Sequence, residues 1–74
     1  MINKSKSNPK LNIGKNLQKL RLGKELSQND LSRETGLSVN LIAKIEVGIN
    51  KNPTIFTLLR IAEALGKKVE DFLK

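Results

Sequence analysis

Leucine and isoleucine recur along this chain at intervals of three and four residues, which is the spacing of helices with one buried face. In 13–24, Ile13, Leu17, Leu20 and Lys24 follow i, i+4, i+7 and i+11, with Asn12 as N-cap and Leu26 closing the stripe. Lys15, Asn16 and Lys19 lie largely outside it. A second helix is predicted over 28–35. Ser27 caps it, Asp30 adds a weak capping box, Leu31 sits on the inner face and Gly36 ends it in a left-handed turn. A third runs over 39–47, capped by Ser38, with Leu41, Ile42 and Ile45 inward and Gly48 as its stop. The fourth follows Thr54. Its stripe reads Ile55, Leu58, Leu59, Ala62 and Leu65, with Ile61 at the edge, Phe56 off the stripe and Gly66 at the end. Glu63 and Lys67 are spaced to pair on it. A short last helix over 68–73 has Glu70 and Asp71 in its first turn. Its apolar Val69, Phe72 and Leu73 either close the core or meet a second subunit. Phe56 placed beside Phe72 and Ile49 would make a dimer patch.

The second and third helices belong together. Two capped helices joined by a turn of about three residues containing glycine make a helix-turn-helix. Ser32 supplies the small residue that their crossing needs. With Ile42 and Ile45 inward, Val39, Asn40, Ala43 and Lys44 form one outward stripe. Asn can bond adenine, Lys can donate to guanine, and Val or Ala can touch a thymine methyl. The bland alternative is an ordinary solvated face. Arg21 falls beside Leu17 and Leu20, partly inside, and a partly buried arginine wants a carboxylate. Glu46 is the candidate partner. Gln28 opens the second helix, beside an N-terminus that favours phosphate. Asn50, Lys51 and Asn52 lie in the loop 48–53, where phosphate contact and simple turn formation are both open to them.

Composition sharpens this picture. The chain has 74 residues, enough for one small domain, and only two aromatic residues, both Phe. Leu- and Ile-rich helices suit an all-α fold. No stretch reaches the roughly 18 apolar residues of a membrane span, and the N-terminus lacks the apolar segment of a secretory signal. There is no Cys and no His, so disulfides and zinc fingers are excluded and the usual nucleophiles and general bases are scarce; seven carboxylates and several serines remain, in no catalytic pattern. No catalytic motif and no metal or cofactor site is expected, and a cytoplasmic, non-enzymatic protein is. Net charge is +7, which favours a polyanion. It is unevenly spread, at +6 over 1–26, −1 over 27–48 and +2 over 49–74. The base-reading part is nearly neutral, so phosphate attraction must come from its flanks. Residues 1–12 read as a flexible basic tail, carrying Lys4, Lys6 and Lys10 around Pro9, ahead of a domain over 13–74. The tail reads more readily as a solvated leader than as a DNA arm, because such arms usually carry Arg.

The strings IGKNLQKLR, LSQNDLS, TGLS, LIAKIE, the loop from Gly48 to Pro53 and LLRIAEALG occur in this order over four-fifths of the chain. In these the chain resembles the XRE family, the helix-turn-helix domains of phage Cro proteins and repressors. The resemblance implies a compact five-helix, lambda-repressor-like domain that binds operator DNA as a dimer, with the third helix in the major groove. It implies base or flanking phosphate contacts for Ser38, Val39, Asn40 and Lys44. Gln28 matches the glutamine that bonds phosphate and braces the recognition helix, and Asn50, Lys51 and Asn52 match a backbone-clamping loop. Arg21 and Glu46 match the family's ion pair between the first and third helices. Three positions depart from the family pattern. Val47 stands where a polar residue is common, Ser32 replaces Ala, and Lys68 replaces a capping Ser or Thr, so the C-terminal end is expected to fray when alone.

The function expected is therefore a sequence-specific regulator, a small repressor or controller protein, binding double-stranded DNA as a homodimer. The alternative is an antitoxin-type module whose main partner is a toxin protein. No membrane partner is expected.

Overall fold

The computed structural model describes residues 12–74 and is helical, with no strand among the described residues. The expected tail, but for Asn12, lies outside them. Four α-helices follow one another, α1 (Ile13–Gly23), α2 (Gln28–Thr35), α3 (Val39–Glu46) and α4 (Ile55–Leu65), and a 3-10 turn, Val69–Phe72, closes the chain. α3 packs between α1 and α2, α4 lies against α2, and the 3-10 turn seals the space between α1 and α4. The core is Leu17, Leu31, Ile42, Ile45, Leu58, Ile61, Ala62, Leu65 and Phe72.

The helix ends follow their caps. Asn12, Ser27, Ser38 and Thr54 each accept a backbone N–H three residues on. α2 and α4 stop at Gly36 and Gly66 in the left-handed conformation. α1 leaves its helix differently. It turns on Glu25, a non-glycine residue at φ 59°, a conformation that costs an L-residue roughly 1–2 kcal/mol.

Three expectations need correction. The buried row of α4 is Leu58, Ile61, Ala62 and Leu65. Ile61 is fully buried, whereas Ile55 and Leu59 face outward. More than half of this helix's circumference is apolar, so periodicity alone admits either centring. Its neighbours decide. The roll is set by Leu58, Ile61, Ala62 and Leu65 packing into the shared core, and Arg60 Nη1, donating to Thr35 O at 3.1 Å, adds a tie to α2. The fifth helix is a single 3-10 turn. It is tied down rather than frayed: Lys68 N donates to the Asp71 carboxylate at 2.9 Å, and Asn16 Nδ2 donates to Phe72 O at 2.8 Å and Lys74 O at 3.1 Å. Phe72 is buried in the core, so no patch of Phe56, Phe72 and Ile49 exists on the surface.

One contact had no counterpart in the pattern analysis. A Cβ at Gly14 would stand 2.3 Å from Ile45 O and 2.7 Å from Glu46 O. α1 therefore lies directly on the end of α3, with no room for a side chain. A glycine in the first turn of a helix, where alanine would stabilise it, was the available signal.

Candidate nucleic-acid interface

The geometry of α2 and α3 is set by the turn between them. Ser32 Oγ donates to Leu37 O at 2.6 Å, Thr35 Oγ1 donates to Leu31 O at 2.7 Å, and Leu37 N donates to Thr35 Oγ1 at 3.1 Å. Gly36 makes the left-handed step (φ 78°) that reverses the chain in so few residues. No buried polar side-chain atom of the turn lacks a partner, and these bonds tie α2 to the start of α3. At the head of α2, Ser27 and Asp30 form a full capping box: Asp30 N donates to Ser27 Oγ, and Ser27 N to the Asp30 carboxylate, each at 2.9 Å. The bond from Ser27 N is the main reason the Asp30 carboxyl sits below its ordinary value of 3.8.

α3 presents its outer stripe from this frame. Asn40 and Lys44 are exposed, one helical turn apart, and Val39 and Ala43 are half-buried between them and the core. Neither the Asn40 nor the Lys44 side chain has a hydrogen bond or ion pair among the described residues. Ser38 is already engaged, its Oγ accepting Leu41 N at 3.0 Å, which leaves its hydroxyl proton to donate outward.

The far end of α3 rests on a buried ionic hub. Arg21 Nε donates to Glu46 Oε2 at 2.7 Å, and its Nη2 to Glu46 Oε1 at 3.0 Å, a two-point grip. Arg21 Nη1 also donates to Leu26 O at 2.6 Å, so the same guanidinium holds the connection between α1 and α2. The hydrogen bond with Glu46 raises the Arg21 pKa above its ordinary value, against the opposing effect of burial. Gln28 Nε2 donates to Glu46 Oε1 at 3.0 Å. One carboxylate therefore joins three helices. It fixes the Gln28 amide at the head of α2 and leaves its second N–H uncommitted.

The loop after α3 is anchored on a single carbonyl. Ile49 N and Asn50 N both donate to Lys44 O, at 2.9 and 3.0 Å, after Gly48 turns the chain at φ 86°. Asn50 Oδ1 then accepts Asn52 N at 3.1 Å, an Asx turn that spends the amide oxygen of Asn50 and leaves its NH2 free. Lys51 and Asn52 are exposed at the tip, while Asn50 is half-buried. The loop and Gln28 flank the same end of α3, and Ser38 and Asn40 mark the other.

The helix-turn-helix family matches residues 17–72, which takes in every one of these elements. The chain belongs to the XRE helix-turn-helix family, a family of DNA-binding domains. The XRE fold of this chain superposes on the crystal structure of the restriction-modification controller protein C.AhdI from Aeromonas hydrophila, with a TM-score of 0.79 and 28% sequence identity. The alignment covers 85% of this chain and 94% of the controller protein. Comparison with curated protein sequences gave no match. Among the described residues no helix is long and apolar enough to cross a membrane, and no group of His, Cys, Asp or Glu is arranged to hold a metal ion.

Proposed function

We propose that this chain is a transcriptional regulator that reads a pseudo-palindromic operator in double-stranded DNA as a homodimer, in the manner of a small repressor or controller protein. The domain responsible is residues 13–74. The observation that carries this reading is the outer stripe of α3, whose Asn40 and Lys44 are exposed and have no hydrogen bond or ion pair among the described residues, while Ile42, Ile45 and Glu46 are buried on the inner face. A side chain free of internal bonds and held on a rigid support is suited to reading base edges in a major groove. Asn40 and Lys44 would supply base hydrogen bonds, Val39 an apolar contact, and the Ser38 hydroxyl a bond at the edge of the footprint.

Phosphates would be held on both sides of that footprint. The second N–H of Gln28 points from the head of α2, and Lys51, Asn52 and the Asn50 amide come from the loop. Arg21 neutralises Glu46, so the carboxylate beside Gln28 does not repel the backbone. Two copies about a two-fold axis would set their α3 helices about 34 Å apart, one turn of DNA.

Selection of binding sites from a random DNA pool tests the reading. The expected result is a palindromic consensus, with Asn40→Ala losing about 1–3 kcal/mol at one base position of each half-site. Binding without a consensus, dependent on salt but indifferent to Asn40, would overturn it. The antitoxin-type reading would then take its place, to be checked by stoichiometric co-purification with a toxin protein.

A further inference from the structure

Val47 is an apolar side chain left largely in water at the end of α3. It is 69% exposed, and it is not among the partly buried apolar residues that pack against the core. Its backbone still belongs to the helix. Val47 N donates to Ala43 O at 3.0 Å, and its φ of −88° and ψ of −1° continue the right-handed path past Glu46. The side chain therefore falls at i+7 from Asn40 and i+3 from Lys44, on the same outward face as both. This end of α3 is held firmly. The neighbouring Glu46 is gripped at two points by Arg21, and Gly14 of α1 lies directly against Ile45 O and Glu46 O. A β-branched side chain is stiff in its own right, so its two methyl groups are presented at one place.

We propose that Val47 is a specificity-determining residue of the α3 stripe and recognises the 5-methyl group of a thymine in the major groove. The proposal rests on the DNA reading above and extends its footprint past Lys44. Chemistry selects the occupant. Valine has no side-chain donor or acceptor, so Val47 can bond neither a phosphate nor a polar base edge. The thymine methyl is the one hydrocarbon substituent that a base pair carries into the major groove. Position agrees with this. Val47 shares its face with Asn40 and Lys44, so a protein partner seated on it would compete with DNA for the whole stripe. Distance agrees as well. Seven helical residues advance about 10 Å, and about three nucleotide steps along one strand cover the same length. The thymine then lies about three steps from the base read by Asn40, with the one read by Lys44 between them.

The test replaces each thymine of the selected operator in turn by deoxyuridine, which lacks only the methyl group. Affinity is measured by fluorescence anisotropy for the wild type, Val47→Ala and Val39→Ala, and melting curves check that each variant folds. At one thymine, on the Lys44 side of the base pair that Asn40→Ala disturbs, loss of the methyl should weaken the wild type about fourfold. Val47→Ala should bind the thymine and deoxyuridine forms of that site equally, whereas Val39→Ala should still tell them apart. 5-Methylcytosine at that position should bind the wild type more tightly than cytosine, by about the same factor. The assignment is overturned if Val47→Ala weakens both forms alike, if it leaves every methyl effect in place, or if the consensus has no thymine on that side. In each of those cases a consensus that depends on Asn40 keeps the DNA reading standing. A selection that yields no consensus, with binding indifferent to Asn40, overturns the DNA reading and this assignment together.

Discussion

α3 buries Ile42 and Ile45, and α4 buries Leu58, Ile61, Ala62 and Leu65; the two helices differ more in what they turn outward. α3 sets Asn40 and Lys44 toward solvent and sinks an ion, Glu46, into the interior. α4 sinks only apolar side chains and leaves Ile55, Phe56 and Leu59 outside. Polar tips on a braced helix suit a partner read by hydrogen bonds, and an apolar strip suits one recognised by excluded water. The cost of each arrangement falls in a different place. α3 must be supported from beneath by costly buried charge, whereas the outward face of α4 leaves much of its apolar surface in water in the single chain.

The sharpest way to break that contrast is Glu46→Ala. It leaves the Arg21 guanidinium buried without its carboxylate and should cost about 3–5 kcal/mol in urea unfolding. Against a stability of roughly 5–15 kcal/mol for a domain, that threatens the fold itself. Gly14→Ala comes next. The added methyl meets backbone oxygens that cannot turn aside, so α1 must lift from α3, at about 1–3 kcal/mol in the same measurement. Ser38→Ala removes the cap of α3 and should cost about 1 kcal/mol of stability, seen as a lower melting temperature. The smallest effect is that of acid. Asp30 and Asp71 are both held below the ordinary 3.8 by backbone N–H bonds, from Ser27 and Lys68 respectively. A depressed carboxyl stabilises the fold fully above the ordinary value and loses that contribution as pH falls from there through the folded value. Urea midpoints should therefore decline below about pH 4, and less so in Asp30→Asn, which has no carboxyl to protonate.

The helix-turn-helix was legible because its boundaries are chemical. Ser27, Gly36 and Ser38 each permit one local geometry, and Arg21 beside Leu17 and Leu20 called for the carboxylate that Glu46 provides at 2.7 Å. The roll of α4 was not legible, since Ile55, Leu58, Leu59, Ile61, Ala62 and Leu65 satisfy two centrings of one helix. Packing against residues distant in sequence separates them, with the bond from Arg60 to Thr35 as one part of that relation. The same holds for Gly14 and Asn16. Their roles depend on what folds against them, the end of α3 and the C-terminal turn, and neither is written in local spacing. Of the interface, the residue types on α3 were readable. The link from Gln28 to Glu46 was not, because it needs the three-dimensional meeting of α2 with the end of α3.

The carbonyl of Lys44 anchors the loop after α3, while the side chain of the same residue is exposed and has no hydrogen bond or ion pair among the described residues. At one position the backbone thus holds shape, while the side chain is left for the target-reading role proposed for it. Asn40 stands in the same condition. On the proposed reading, exchanges at these two sites would redirect the protein to a different DNA sequence without endangering the frame. If Asn40 and Lys44 read bases as proposed, a change of target and a loss of stability are separable events at these two positions.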